Sequence, residues 1–188
     1  MSLPTEVQDL LEGPRSALAE AMAAGHPIAP EALAGHAYLG ISIGLPSWVD
    51  RALWKTFVKA FASDARGWNV KMAQHGLDGP HAPLERSDGR PRSFGHFSVS
   101  ACPAGRIAGL DEAHVLLDYS VSDNPVLDPS RAIRDPLVSL RPGSAEVLLG
   151  RTYAAVLGGW LGTPSYFALV RSPALQHLAD PGTLAAAG

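Results

Sequence analysis

The sequence predicts a mainly β protein in which an antiparallel sheet closes into a barrel behind N-terminal helices. Between residues 94 and 171, short apolar runs of strand length follow one another, each bounded by Gly, Pro, Asn or Asp. Strands at this spacing are typical of an antiparallel barrel or sandwich. A small closed barrel holds either packed side chains or one apolar ligand. The alternative fold is an open antiparallel sheet with helices packed on one face.

The composition limits the classes of partner. The 188 residues suit one domain with a sizeable core. A net charge of −3 gives no reason to expect nucleic acid or an anionic membrane as partner. The single cysteine, Cys102, excludes an intramolecular disulfide and a cysteine-cluster metal site. Because neither a secretory signal nor an apolar run of bilayer length is present, we expect a soluble, cytoplasmic protein without membrane insertion. We expect it to be a monomer or a homodimer.

The first 36 residues predict a helical extension, residues 1–36, ahead of the barrel. Gly13-Pro14 should divide this extension into two short helices. Its apolar residues recur at steps of three and four, as on one face of a helix. These residues are Val7, Leu10, Leu11, Leu18 and Met22.

The barrel domain is predicted to span residues 37–171 and to include one helix over residues 48–62. Ser47 is a suitable N-cap, and aromatic residues follow it at helical spacing. We expect this helix to lie against the sheet or across the barrel mouth as a lid. Residues 67–74 alternate like a strand, residues 75–93 form a long exposed loop, and residues 172–188 form a poorly ordered tail.

Several short pieces of the barrel region, over roughly residues 54–171, form a recognisable progression: Leu116-Leu117-Asp118-Tyr119, Asn124-Pro125, Arg134-Asp135, Leu148-Leu149-Gly150 and Phe167-Ala168-Leu169-Val170-Arg171. These pieces resemble a loosely defined group of bacterial lipocalin-like proteins. The strict GxW signature of lipocalins is missing, and Gly67-Trp68 is its nearest approach. The resemblance implies a calycin-like barrel with an apolar cavity. Members of that group bind lipids, pigments, haem or terpenoids, and a few isomerise or cyclise them.

Three polar residues are candidates for catalysis. In the run FGHFSVS, alternation places His96 on one face with Phe94, opposite Phe97. On the inner face, His96 could act as acid or base or coordinate haem iron, whereas elsewhere it would be a hydrogen-bonded strand residue. In AHVLLDYSV the odd-numbered residues are the more apolar, so Tyr119 should face inward as a ligand donor. Asp118 should then face outward and pair with an Arg.

Two face assignments remain open for the strand that contains Arg151. Arg151 and Tyr153 face inward together in one assignment, and Gly150 and Thr152 do so in the other. Arg131 and Arg134 either fix a loop through backbone carbonyls or receive a ligand carboxylate. The predicted ligand-binding set is Trp54, Trp68, Phe94, His96, Tyr119, Arg151, Tyr153 and Phe167.

The leading hypothesis is a protein that binds a small hydrophobic molecule, such as a lipid, terpenoid, polyketide or pigment, in a barrel cavity. The alternatives are a cofactor-independent isomerase or cyclase using the same cavity, and a protein-interaction module. The histidine spacings match no metal-binding motif, so we expect no metal. We also expect no cofactor, although haem stays open through His96.

Overall fold

The computed structural model describes residues 2–45, 55–62, 65–73, 77, 82–121 and 123–173. Within them, eight antiparallel strands form a closed barrel in which each strand pairs with its neighbours in sequence and the last pairs with the first. The predicted barrel is therefore confirmed, and the open-sheet alternative is wrong. Residues 46–54, which contain Trp54 and the first part of the predicted lid helix, lie outside the described residues.

The described elements are two helices and two short 3-10 turns together with the eight strands of the barrel. The helices are α1 (Thr5–Glu12) and α2 (Arg15–Ala23), and short 3-10 turns span Pro30–Leu33 and Pro129–Ala132. The strands are β1 (Ala37–Ile43), β2 (Thr56–Phe61), β3 (Arg66–Lys71), β4 (Ser93–Ala101), β5 (Val115–Asp118), β6 (Ile133–Ser139), β7 (Val147–Val156) and β8 (Gly159–Arg171).

The helix predicted over residues 48–62 is wrong in its second part, because Thr56–Phe61 is strand β2. Phe57 and Lys59 face the barrel interior, while Val58 faces outward and packs among apolar residues on the outside of the barrel. This two-residue alternation competes with the helical spacing of the aromatic residues. Pairing with β1 on one side and β3 on the other decides in favour of the strand.

The two N-terminal helices pack on the outside of the barrel. Val7, Leu10 and Leu18 are buried together with outward-facing residues of the sheet, and we call this group the outer apolar cluster. Glu6 forms an ion pair with Arg141 at 2.6 Å, which joins α1 to the β6–β7 turn. The helices therefore cover part of the outer wall and leave the interior to other residues. We keep as a prediction the division of the chain into the barrel and two separate units, residues 1–36 and residues 172–188.

A second apolar cluster fills one end of the barrel interior. The segment after α2 crosses this end, where His26 bridges to Ser139 and the Ile28 amide donates to the carbonyl of Ala113. Leu33 is fully buried there, among inward-facing strand residues. Among the described residues, this end is thus plugged by side chains, and the cavity lined by Phe57, Lys59 and Asp135 lies towards the other end. The strand residues of the plug include Phe61, Val99, Val115, Leu137, Leu148 and Leu169.

Three inward-facing glycines each lie under a phenylalanine ring of the adjacent strand. Gly40 is paired with Phe57, Gly67 with Phe97, and Gly150 with Phe167. A Cβ added at any of these glycines would come within 2.3 Å of the ring. The missing side chains therefore allow the rings to lie flat against the barrel wall, as in other cross-strand Gly–aromatic pairs.

We expect Gly67→Ala to lower the free energy of unfolding by about 1–3 kcal/mol, since the new methyl group overpacks the wall. Its Cβ would lie 2.2 Å from Phe97 and 2.7 Å from the carbonyl of Ala60, which is backbone and cannot move aside easily. Gly159→Ala is the matched control, because its Cβ would meet nothing closer than 3.7 Å. Urea denaturation of both variants measures the difference, and equal losses would contradict the packing argument.

Candidate functional site

The unplugged half of the barrel encloses a cavity of about 550 Å³. Its apolar walls come from residues on several strands and from the ends of two connections. Four of its polar side chains lie together, and we call Lys59, Asn69, Tyr119 and Asp135 the polar cluster. The apolar lining residues include Leu45, Phe57, Phe94, Ile133 and Phe167.

Lys59 is the centre of the polar cluster. Its Nζ donates hydrogen bonds to Asn69 Oδ1 at 3.0 Å and to the Tyr119 hydroxyl, and lies 3.5 Å from Asp135 Oδ2. The Tyr119 hydroxyl in turn donates to Asp135 Oδ2 at 2.9 Å. Since an ammonium has three N–H donors, these three acceptors match its capacity.

The strand order explains how these side chains meet. Lys59 on β2 and Asn69 on β3 are direct cross-strand partners. Asp135 lies on β6, which is separated from β2 by three strands in either direction around the barrel. Lys59 and Asp135 therefore meet across the full width of the barrel. Tyr119 follows β5, and Asn124 holds its backbone in place by donating to the Tyr119 carbonyl at 2.7 Å.

Aromatic rings surround the Lys59 ammonium. Nζ lies between 4.9 and 5.5 Å from the centroids of four rings, close enough for cation–π attraction. Three of these rings belong to the phenylalanines that lie over the glycines of the barrel wall. These three glycines therefore determine the position of the aromatic rings that form a cage around the Lys59 ammonium. The rings are those of Phe57, Phe97, Tyr119 and Phe167.

Burial changes the proton affinities within the cluster. Desolvation lowers the pKa of Lys59 from its usual 10.5 to about 8, although the nearby Asp135 opposes this shift. Desolvation raises the pKa of Asp135, and Lys59 opposes that shift in the same way. Burial and then the Asp135 charge raise the pKa of Tyr119. Amine and carboxyl are thus closer in proton affinity than they would be in water.

One oxygen of the cluster is incompletely satisfied. Asp135 Oδ1 is buried, and no described residue completes a hydrogen bond to it, although the Thr152 hydroxyl is near enough to lower the carboxyl pKa. A buried acceptor without a partner is costly. Asp135 itself lines the cavity, so this costly group lies in its wall.

Several predicted residues line the cavity, but His96 does not. Tyr119, Phe94 and Phe167 line it. His96 and Trp68 line a separate cavity of about 200 Å³. Strict alternation fails here because Gly95 has φ +51° and the β3–β4 register shifts, so Phe94 and Phe97 both reach the interior. The predicted separation of these two rings onto opposite faces is wrong.

The remaining polar candidates lie away from the cavity. Asp118 forms an ion pair with Arg134 at 3.1 Å, as expected for an outward residue. Arg131 donates to the carbonyls of Val121 and Asn124 and so fixes a loop.

Arg151 and Tyr153 do not line the cavity either. The Arg151 guanidinium lies 5.2 Å from the centroid of the Tyr153 ring, which is buried in the outer apolar cluster. Thr152 lines the cavity, so the second face assignment of this strand is the one the structure adopts.

The sequence reasoning missed Lys59, Asn69 and Asp135. A usable signal was present in Phe57-Val58-Lys59-Ala60-Phe61, where a lysine shares one strand face with two phenylalanines. Asp135 and Asn69 carried no comparable signal, because their contacts cross the barrel or depend on strand register.

No protein-family model, curated protein or solved structure matches this chain. The closed eight-stranded barrel is compatible with the lipocalin-like resemblance and does not confirm it. Within the described ranges, no helix is long and apolar enough to cross a membrane. The same part of the chain contains no group of three or more His, Cys, Asp or Glu residues placed to hold a metal ion. The fold and site thus define a small β-barrel protein with an internal cavity.

We expect Lys59→Met and Asp135→Asn each to cost about 3–5 kcal/mol of stability, since each removes one partner of a buried ion pair. The double variant should cost less than the sum of the two single losses, because it leaves no uncompensated charge. Urea denaturation of all four proteins gives the coupling energy. Strict additivity would show that the two groups do not interact across the barrel.

Proposed function

We propose that this protein binds a small, mostly apolar molecule in the barrel cavity, with the polar group of that molecule directed at the polar cluster. The observation that carries this proposal is a cavity of about 550 Å³ with apolar walls and one convergent set of buried polar groups. Cavities of this size and composition are typical of small-molecule sites, in which a few polar groups fix the orientation of the ligand.

The charges of the cluster indicate the kind of polar group. Lys59 and Asp135 offset each other, and the other two charged residues of the lining, Lys71 and Asp128, are also of opposite sign, so the site offers no net charge to a free carboxylate or phosphate. An added anion would lie beside the buried Asp135 carboxylate, where like charges repel and desolvation is costly. A neutral group such as a hydroxyl or a carbonyl brings no charge into the polar cluster and so avoids this repulsion.

The test is displacement of a neutral apolar fluorophore, N-phenyl-1-naphthylamine, from the purified protein. We expect micromolar binding, with decanol displacing the fluorophore about tenfold better than decanoate because an unpaired carboxylate is expensive to bury. Thr152→Phe should weaken fluorophore binding at least about tenfold, since the ring occupies space in the cavity. Val156→Phe, on the exposed end of the same strand, is the matched control.

Two results would contradict this proposal. Absence of fluorophore binding would do so directly. Equal effects of Thr152→Phe and Val156→Phe would place the binding outside the barrel interior. Thermal unfolding of both variants is measured alongside, so that a loss of binding is separated from a loss of folded protein.

The polar cluster also supports a second function, a cofactor-independent isomerase or cyclase that uses this cavity. Lys59, Tyr119 and Asp135 form a hydrogen-bonded chain in which burial brings the pKa values of an acid and a base towards each other. Groups with such values are suited to proton transfer near neutral pH. In this function they take the place of His96 and Asp118, which lie away from the cavity.

A further inference from the structure

The chemistry of Lys59 goes beyond that of an anchoring residue. Its amine is buried, lines the cavity and lies within an aromatic cage, with a carboxylate and a phenol in contact. A lysine desolvated in an apolar pocket is an activated nucleophile towards carbonyl compounds, because a larger share of it is the neutral amine. At its pKa of about 8, about one lysine in ten is neutral at pH 7, compared with fewer than about one in a thousand for an ordinary lysine.

We infer that Lys59 forms a reversible covalent imine with an apolar aldehyde or unhindered ketone bound in the cavity. This inference rests on the proposed function, since the carbonyl compound must first enter the barrel. It names the ligand class for which Lys59, Tyr119 and Asp135 are all needed.

Each side chain of the cluster has a part in the reaction. Asp135 takes a proton from the Lys59 ammonium, and the resulting amine attacks the carbonyl carbon to form a C–N bond. The carbonyl oxygen receives a proton from Tyr119 or Asp135, and after a second proton transfer it leaves as water. The product is a protonated imine beside the Asp135 carboxylate. One water is released, the charge is unchanged, and no oxidant or reductant is needed.

The position of Asp135 suits the product as well as the reactants. Its Oδ2 lies 3.5 Å from Lys59 Nζ, so the cationic imine nitrogen would keep a counter-ion after the ammonium is consumed. The four surrounding rings would continue to favour a cation at that place. A lysine that only binds an anion would have no use for a buried carboxylate at this distance.

The chain is well suited to a direct test because it contains only three lysines, Lys55, Lys59 and Lys71. The intact protein is incubated with decanal, quenched at intervals with sodium borohydride, and examined by intact mass and peptide mapping. We expect one decyl group per protein, with Lys59 labelled at least about tenfold faster than Lys55 or Lys71. An excess of decanol should slow this labelling by occupying the same cavity.

Three variants separate the chemistry from position and folding. Lys59→Arg keeps a cation without a reactive amine and should lose the fast labelling. Lys55→Arg changes a lysine that is not part of the cavity lining and whose Nζ donates to the carbonyl of Ser42, so it should leave labelling at position 59 unchanged. Asp135→Asn removes the carboxylate and should slow labelling at least about tenfold. Thermal unfolding and N-phenyl-1-naphthylamine binding of each variant establish that its barrel is intact.

The pH dependence supplies a readout that simple proximity would not change. With a pKa of about 8, the initial rate at Lys59 should rise only about twofold between pH 8 and pH 9.5, because the amine is already largely neutral. Over the same interval an ordinary lysine, with a pKa of about 10.4, should react roughly thirtyfold faster. A thirtyfold rise at Lys59 would overturn the assignment of an activated amine.

The outcomes distinguish this inference from the proposed function. If decanol and the fluorophore bind but borohydride traps no label at Lys59, the imine is disproved and the binding function stands. If neither compound binds and no label is trapped, both proposals fail. Labelling spread evenly over the three lysines would show only unspecific reaction with the aldehyde and would also overturn the inference.

Discussion

The contact between Lys59 and Asp135 is the interaction on which the interior of this barrel depends. It joins β2 to β6, strands on opposite sides of the barrel, through two side chains that are at most 5% exposed. Removing two charges from water costs several kcal/mol per ion unless each finds partners. Asn69 and Tyr119 supply those partners, and the aromatic rings supply a further attraction for the cation. The neighbouring strands must therefore be arranged so that these partners lie within reach of Lys59 and Asp135.

The glycines of the inner wall are a consequence of that requirement. Phe57, Phe97 and Phe167 can surround Lys59 only if their rings lie back against the wall, and Gly40, Gly67 and Gly150 make the necessary room. The same rings separate the cavity from the apolar plug, since Phe97 and Phe167 also belong to the plugging cluster. A single set of Gly–Phe pairs thus shapes both the lysine cage and the boundary of the ligand space.

The sequence predicts the class of fold well because strand alternation and turn residues are local signals. Tyr119 facing inward and Asp118 facing outward follow from one short apolar pattern, and both are observed. The predictions fail where a local pattern is overruled. Pairing on both sides turns part of the expected helix over residues 48–62 into β2, and the positive φ of Gly95 breaks the alternation that was used for His96. The other members of the polar cluster, Lys59, Asn69 and Asp135, are not predicted, because they lie on three different strands and meet only after the barrel closes.

The location of the buried charges is more informative than their presence. Replacing a buried ion pair by apolar residues is often neutral or stabilising, so stability alone does not account for Lys59 and Asp135. A purely structural pair would serve equally well inside the plug, where it would be shielded from any ligand. Here the pair lines the cavity, and one of its oxygens has no hydrogen-bond partner among the described residues. Local rules of packing are most often broken at functional sites, and this one borders the space that a ligand would occupy.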